Sequence, residues 1–228
     1  MIYALLFSLF SAYLVLVAAA VGGFAWVLLW PALSFALFAS AYAFHTPRLL
    51  GKRSDGRVAW WVWPTLGPVL GLLVSLWHLE RWVRREAVCH EVAPGLWLGR
   101  WPLRGEIPPG VRLVVDLTAE FGKAPGVAGH EYVCLPTLDG LSPGAVEVEA
   151  VLGKIEACGG PVYVHCALGH GRSALVAAAV LLRRGIVEDV RAAELHLRER
   201  RPGVRLKRGQ RQLLARMFDS GLQDDDGA

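Results

Sequence analysis

Charge is missing from the start of this chain. Residues 1–47 contain no Asp, Glu, Lys or Arg, which excludes an ordinary soluble fold for this segment because a soluble surface needs charged side chains. Two apolar stretches, residues 2–20 and 24–44, are each long enough to cross a bilayer, since about 20 helical residues span a core of about 30 Å. No basic residue precedes the first stretch and the second follows at once. The pattern therefore favours permanent spans over a cleaved signal peptide.

A third uncharged stretch covers residues 58–79 and contains Pro64, Gly67, Pro68 and Gly71. A soluble helix tolerates these residues poorly, whereas a membrane helix or a re-entrant hairpin accommodates them. The sequence leaves both forms open. With the two preceding stretches, it predicts an α-helical transmembrane region at the N-terminal end of the chain.

The basic residues give conflicting signals about orientation. Residues 1–80 form the predicted transmembrane region, whose loop at residues 45–57 has four basic residues against one acidic residue. Positively charged loops face the cytoplasm, so a full third crossing would place the remaining chain outside. However, Arg81, Arg84 and Arg85 carry the same cytoplasmic signature, and a reduced thiol is easier to maintain in the cytoplasm. We expect an integral protein of the bacterial inner membrane with the rest of the chain in the cytoplasm.

Cysteine is scarce, and its spacing argues against a metal site. The chain has four cysteines and no Cys-x-x-Cys pair, so we expect no metal ligands. Cys89, Cys134 and Cys158 are typical of core or surface thiols. One of them is a candidate partner for a disulfide with oxidised Cys166.

Cys166 stands in a distinctive context, Pro-Val-Tyr-Val-His-Cys-Ala-Leu-Gly-His-Gly-Arg-Ser over residues 161–173. The β-branched and aromatic residues before it predict a strand, and the alanine- and leucine-rich residues 174–184 predict a helix. The loop between them lies at a helix N-terminus, where free backbone N–H groups and the helix dipole stabilise an anion and favour ionisation of a cysteine. The sequence therefore predicts a phosphate-binding loop with a thiolate at Cys166.

The side chains of this loop have complementary roles. Five residues separate Cys166 from Arg172, whose planar guanidinium matches two oxygens of a phosphoryl group. Gly169 and Gly171 permit the positive φ angles and the close backbone approach that wrapping an oxyanion requires. Ser173 is placed to donate a hydrogen bond to the departing sulfur. The predicted phosphate-contacting residues are His165, Ala167, Leu168, Gly169, His170, Gly171 and Arg172.

The pattern His-Cys-x-x-Gly-x-x-Arg-Ser at residues 165–173 resembles the signature of the cysteine-based protein tyrosine phosphatase superfamily, in particular its dual-specificity branch. The resemblance covers roughly residues 90–218 and implies an α/β fold, with a central, mostly parallel twisted sheet flanked by helices on both faces. It also implies in-line attack by the Cys166 thiolate, a cysteinyl-phosphate intermediate and hydrolysis by water, with no cofactor.

The resemblance further implies an aspartic acid upstream that protonates the leaving oxygen. Asp139 lies in a suitable loop, residues 135–143, where Pro136 and Gly140 favour a mobile turn. The alternative is a turn aspartate that caps a helix beginning near Ser142. The predicted catalytic residues are Cys166, Arg172, Asp139 and Ser173.

The remaining polar groups have ordinary structural interpretations. Asp116 and Glu120 follow a buried strand and are more typical of caps than of a catalytic pair, and Gln210 is expected to be structural. A basic cluster near the C-terminus is expected to be a solvated helix face, or a surface for lipid headgroups or phosphorylated substrates. This basic cluster comprises Arg198, Arg200, Arg201, Arg205, Lys207, Arg208, Arg211 and Arg216. Residues 219–228 form an acidic tail.

The leading functional prediction is a membrane-anchored phosphatase acting on phosphotyrosine, phosphoserine and phosphothreonine in proteins. Ala167, Leu168 and His170 add no fixed charge to the loop, which favours a single phosphate over a polyphosphorylated ring. One alternative is the same chemistry on a lipid phosphate such as phosphatidylglycerophosphate, and another is a non-enzymatic phosphate-binding module. Sulfur transfer and arsenate reduction leave Ser173 and the acid loop unexplained. The expected partners are the phosphorylated substrate and the bilayer, without nucleic acid; the oligomeric state is left open.

Overall fold

The chain divides into two compact units. The computed structural model describes residues 2–218, so the predicted acidic tail at residues 219–228 lies outside the described residues. The first unit comprises residues 1–86 with the short segment Ala119–Gly122, and the second comprises Ala87–Thr118 and the chain from Lys123 onward.

Three helices of the first unit are long and apolar enough to cross a membrane. They are α1 (Ile2–Val21), α2 (Leu29–Ala43), which continues from the 3-10 helix Gly23–Leu28, and α3 (Val62–Arg84). Aromatic side chains of α1 pack against those of α2, as in the stacked rings of Phe10 and Phe35. Large apolar side chains remain exposed on their outer faces, with Leu16 68% and Phe24 88% accessible. Such an apolar exterior suits contact with lipid.

Helix α3 runs without interruption through Pro68, so the re-entrant hairpin that the sequence left open is wrong. Proline has no N–H group and frees the carbonyl four residues earlier, here that of Pro64. The indole Nε1 of Trp30 on α2 donates to this carbonyl at 2.6 Å, and the Ser34 hydroxyl donates to the next carbonyl, that of Thr65. The neighbouring helix thus satisfies the backbone groups at the proline, and no break is needed.

The second unit is built on a five-stranded sheet in the order β1-β2-β5-β3-β4. Strands β1 and β2 are antiparallel, and the pairs β2–β5, β5–β3 and β3–β4 are parallel. The strands are β1 (Cys89–Ala93), β2 (Leu96–Gly99), β3 (Leu113–Thr118), β4 (Glu131–Thr137) and β5 (Val162–His165). The helices are α4 (Ala145–Cys158), α5 (Arg172–Arg183), α6 (Val190–Arg200) and α7 (Arg208–Phe218). The predicted mostly parallel α/β architecture is confirmed.

The two faces of this sheet are covered differently. Alternate residues such as Leu98, Val115 and Val164 pack with the apolar faces of α4 to α7 in one large core. The opposite face carries Tyr163 and packs against loops and the 3-10 helix Pro125–Val127. Among the described residues of this unit, α-helices therefore cover only one face of the sheet. On the other face, where helices were also predicted, the only helical segment described is that short 3-10 helix.

The central strand β5 determines where the loop after it lies. Every residue of β5 is buried between β2 and β3, as its apolar run Val162–Val164 requires. The chain leaves the carboxyl end of this strand, crosses residues 166–171 and enters α5 at Arg172. The edge formed by the carboxyl ends of parallel strands is where open α/β sheets place their ligands.

Candidate active site

The loop at residues 166–171 is bent by a glycine. Gly169 has φ +82°, and a Cβ built on it would lie 2.6 Å from the carbonyl carbon of Gly99, at the end of β2. A side chain at position 169 would meet both a conformational penalty and a backbone clash. The glycine requirement predicted at position 169 therefore has a concrete cause, which is close contact with the neighbouring strand. The positive φ angle predicted for Gly171 is wrong, because this residue has φ −122°.

The backbone carbonyl groups of residues 167–170 are all bonded to neighbouring segments. In a planar trans peptide, the N–H of the following residue points away from the carbonyl. The N–H groups of residues 168–171 therefore point away from these partners, towards the centre of the loop, where they form a cradle for an anion. Trp101 N donates to Ala167 O (3.2 Å), Arg201 Nη2 to Leu168 O (2.8 Å), Arg201 Nε to Gly169 O (3.0 Å) and Arg205 N to His170 O (2.9 Å).

The Cys166 sulfur lies at the base of this cradle, and only 3% of the residue is accessible. It accepts hydrogen bonds from the Gly169 N–H and the Ser173 hydroxyl, each at 3.3 Å. Burial raises the pKa of the Cys166 thiol, but the Arg172 guanidinium and the hydrogen bonds from Ser173 and Gly169 lower it. Together these groups hold the pKa of Cys166 below its ordinary value, which favours the thiolate form of the sulfur.

Cys89 provides a contrast within the same unit. Burial raises the pKa of Cys89 to about 11, despite the opposing charges of Arg201 and Arg100. Its thiol therefore stays protonated at neutral pH. All four cysteines are free thiols, so a disulfide between Cys166 and another cysteine remains a prediction.

Arg172 connects the loop to the upstream acid. The residue is 2% accessible, its Nη1 donates to the Thr137 carbonyl at 2.8 Å, and its Nη2 lies 3.2 Å from Asp139 Oδ1. The Asp139 side chain is 58% exposed. The structure thus brings Cys166, Arg172, Ser173 and Asp139 to one place, although 26 residues lie between Asp139 and Cys166 in the sequence. Helix α4 begins only at Ala145, so Asp139 does not cap it.

His165 supports the loop from inside the sheet. The side chain is fully buried, and its Nδ1 lies 3.3 Å from the Cys166 carbonyl oxygen and 4.0 Å from Asp116 Oδ1. Asp116 accepts hydrogen bonds from the Thr118 N–H and hydroxyl and from the Tyr132 hydroxyl. Asp116 is therefore part of a buried network behind the loop rather than part of a catalytic carboxylate pair.

Arg201 corrects the prediction of a uniformly solvated basic cluster. Its relative accessibility is 0%, and besides the two loop carbonyls it contacts Ala87 O and His90 Nδ1, each at 3.1 Å. Its planar guanidinium spans several acceptors at once, which a lysine would not do. Arg201 is thus a functional residue that sequence reasoning missed, because its position among other arginines at a helix end gave no sign of burial.

Replacing Arg201 by methionine should destabilise this unit. The change leaves four acceptors without their donor, one in a buried hydrogen bond and three in part-buried ones, for which we expect a loss of on the order of 3 kcal/mol in the free energy of unfolding. The thermal midpoint of the full-length protein in detergent should fall by roughly 2–4 °C per kcal/mol. Arg198→Met, an exposed position on α6, is the matched control. Equal midpoints for the two variants would contradict the assigned role.

Gln210 joins α7 to the acid loop. It is 1% accessible, its Oε1 accepts from the Lys207 N–H at 2.8 Å, and its Nε2 donates to the Leu141 carbonyl at 3.4 Å. This is the structural role expected from the sequence. The loop that carries Asp139 is thereby fixed to the same helix start that borders the phosphate loop.

Residues 110–218 match the sequence model of a known family, described as dual specificity phosphatase, catalytic domain. The chain thus contains a dual specificity phosphatase catalytic domain within these residues. The resemblance of residues 165–173 to the signature of this branch is thereby confirmed. No curated protein matches the chain in sequence.

Several solved phosphatase structures share the fold of the second unit. Tk-PTP in its active form is 23% identical with a TM-score of 0.51, covering 58% of this chain and 97% of its own. PTPMT1 in complex with PI(5)P is 24% identical with a TM-score of 0.50, covering 58% and 95%. The human tyrosine phosphatase-like serine/threonine/tyrosine-interacting protein is 22% identical with a TM-score of 0.51, covering 57% and 95%. The similarity covers little more than half of this chain.

Proposed function

We propose that this dual-specificity phosphatase domain is an active, cysteine-dependent phosphomonoester hydrolase anchored in a membrane. The observation that carries the proposal is the position of the Cys166 sulfur, buried beneath loop N–H groups and beside Arg172, with Asp139 3.2 Å from that arginine. A non-enzymatic phosphate-binding module has no need for a thiol of lowered pKa or for an acid at the pocket.

In the proposed first step, the substrate phosphate binds the loop N–H groups and the Arg172 guanidinium. The Cys166 thiolate attacks phosphorus, the bond from phosphorus to the ester oxygen breaks, and Asp139 transfers its proton to the departing oxygen. In the second step, water attacks the cysteinyl phosphate and gives a proton to Asp139. The sulfur leaves as a thiolate, which the Ser173 hydroxyl stabilises at 3.3 Å.

Two measurements test this scheme directly. The full-length protein should release inorganic phosphate from an aryl phosphate, and rapid acid quenching during turnover should trap phosphorus on Cys166. The scheme is wrong if neither phosphate release nor a phosphorylated Cys166 peptide is detected.

Asp139→Asn should lower kcat for a phosphotyrosine peptide by roughly 10²-fold, because an amide cannot donate the proton. The loss should be smaller for an aryl phosphate whose leaving group needs no proton. Asp189→Asn, at the exposed N-cap of α6 where the amide oxygen still accepts the capping hydrogen bond, is the control. Equal losses on the two substrates would exclude Asp139 as the general acid.

We propose phosphorylated proteins as the substrate class. Ala167 and Leu168 bring no cation into the loop, and the only ionisable side chain between Cys166 and Arg172 is His170. This favours a single phosphoryl group on an uncharged carrier over a densely phosphorylated ring.

A lipid phosphate is the second candidate, and the three apolar helices favour it because they hold the domain beside a bilayer. PTPMT1, which shares the fold, was solved in complex with PI(5)P. Mixed micelles containing phosphopeptides or lipid phosphates at equal concentration rank the two candidates by kcat/KM.

We propose that the phosphatase domain lies on the cytoplasmic side. Arg81 and Arg84 in the last turn of α3 support this orientation. A continuous α3 then places the loop at residues 45–57 outside, where part of its positive charge is masked: Lys52 is 5% accessible and Arg57 lies 3.8 Å from Asp55. A reporter that is active only outside the cytoplasm, fused to the C-terminus, should stay inactive. An active reporter would reverse the proposed orientation.

A further inference from the structure

The segment between α6 and α7 borders the phosphate loop and presents positive charge to solvent. Burial alternates along it: Val204 and Leu206 are 2% and 1% accessible, whereas Arg205 and Lys207 are exposed. Arg208, the first residue of α7, is also exposed. The two buried residues anchor the segment in the core, so the cations are held on its outer side. We call Arg205, Lys207 and Arg208 the basic rim.

The backbone of this segment contacts both loops of the active site. The Arg205 N–H donates to the His170 carbonyl at 2.9 Å, and a Cβ on Gly203 would lie 2.4 Å from the His170 ring. At the other end, Gln210 donates to the Leu141 carbonyl in the acid loop. The basic rim therefore runs along one edge of the pocket, from the phosphate loop to the acid loop.

Within the part of the chain that the structure describes, the basic rim is not neutralised. None of the salt bridges formed by the described residues involves Arg205, Lys207 or Arg208. The nearby carboxylate of Glu194 accepts from the Leu206 N–H, and Arg211 contacts it through two nitrogens, at 2.7 and 3.0 Å. Among the described residues, no carboxylate therefore pairs with these three cations, which makes them candidates for binding an external anion.

Resting on the proposed phosphatase activity, we propose that the basic rim binds acidic side chains, or a second phosphate, flanking the phosphorylated residue of a protein substrate. An extended peptide advances about 3.3 Å per residue, so neighbours one to three positions from the scissile phosphate reach such a rim. Surfaces that insert into membranes combine cations with exposed apolar side chains, and the apolar residues of this segment are buried. An acidic peptide therefore fits the rim better than a lipid surface does.

The test uses the full-length protein in detergent and two phosphotyrosine peptides, one with flanking Asp and Glu residues and one with Asn and Gln in their place. The variant is Arg205→Gln/Lys207→Gln/Arg208→Gln. The matched control removes three exposed cations elsewhere on the domain, as Lys154→Gln/Arg191→Gln/Arg198→Gln. Turnover of a small aryl phosphate reports on the chemistry. The substitutions change only side chains, so the hydrogen bond from the Arg205 N–H to the phosphate loop stays in place.

We expect the rim variant to lose roughly 10- to 100-fold in kcat/KM for the acidic peptide, because each exposed charge pair contributes up to about 1 kcal/mol. For the neutral peptide and the aryl phosphate, we expect changes of less than about threefold. In the unsubstituted protein, the preference for the acidic peptide should shrink as salt is added. An unchanged ratio of acidic to neutral peptide in the rim variant would overturn the proposal.

Two further measurements distinguish failure of the rim proposal from failure of the proposed phosphatase function. If the rim variant loses binding to vesicles of anionic lipid while its peptide ratio is unchanged, the rim is a membrane surface and the proposal fails. If the unsubstituted protein does not hydrolyse even the aryl phosphate, the proposed function fails. Binding of the two peptides to Cys166→Ser protein, measured by fluorescence polarisation, then still decides whether the rim selects acidic sequences.

Discussion

Cys166→Ser is expected to lower turnover of an aryl phosphate by more than roughly a thousandfold, the largest single effect that the structure predicts. A serine hydroxyl fits the space of the thiol, but it stays protonated in surroundings that ionise the cysteine. Burial opposes ionisation of Cys166, and Arg172, Ser173 and Gly169 together overcome it. These groups lower a thiol pKa, but not enough to ionise an alcohol. The measurement is phosphate release under saturating substrate.

Two controls identify the cause of this loss. Tungstate, an oxyanion of similar shape to phosphate, should still bind the Cys166→Ser protein because the loop N–H groups and Arg172 are unchanged. Cys134→Ser, in strand β4, should keep most of the activity. Residual turnover above about 1% in Cys166→Ser would mean that the sulfur is not the nucleophile.

Substitutions of Arg172 should have the second largest effect and should separate charge from geometry. Arg172→Lys keeps a cation near the sulfur but loses the planar fork, so kcat/KM should fall by roughly 10²–10⁴-fold. Arg172→Met also removes the charge that lowers the pKa of Cys166. Because this pKa is then higher, the thiolate should appear only at higher pH.

The pH dependence of Cys166 alkylation by iodoacetamide measures this second effect. In the unsubstituted protein, the alkylation rate should fall as the pH drops through the lowered pKa of Cys166. In Arg172→Met, the same limb should move to higher pH, with Arg172→Lys between the two. Coincident profiles for all three proteins would show that Arg172 does not control ionisation of the sulfur.

The phosphate loop was predictable from sequence because its chemistry is local. Cys166, Gly169 and Arg172 are held by one strand, one turn and one helix start, and each of these has a short-range signal in residues 161–184. The prediction that Asp139 is the acid also needed the family resemblance, since turns that contain proline and glycine occur in many loops. The structure places it beside Arg172, and its role as the acid stays a prediction.

The features that sequence reasoning missed depend on distant partners. Arg201 looked like its neighbours Arg198 and Arg200, and only the packing of α6 against the loop shows that its guanidinium is buried. The continuity of α3 through Pro68 depends on a hydrogen bond from Trp30, 34 residues before Pro64. In both cases, a polar group is satisfied by a segment that no local pattern identifies.

The outward bonding of the loop carbonyls has a consequence for inhibition. Trp101, Arg201 and Arg205 already hold these carbonyls, so the cradle of N–H groups is formed before any ligand binds. The conformational entropy needed to form it is therefore lost during folding rather than on binding. Free orthophosphate, the reaction's own product, then meets a ready-made receptor and should act as a competitive inhibitor. Oxyanions that mimic the five-coordinate phosphorus, such as vanadate, should bind more tightly still.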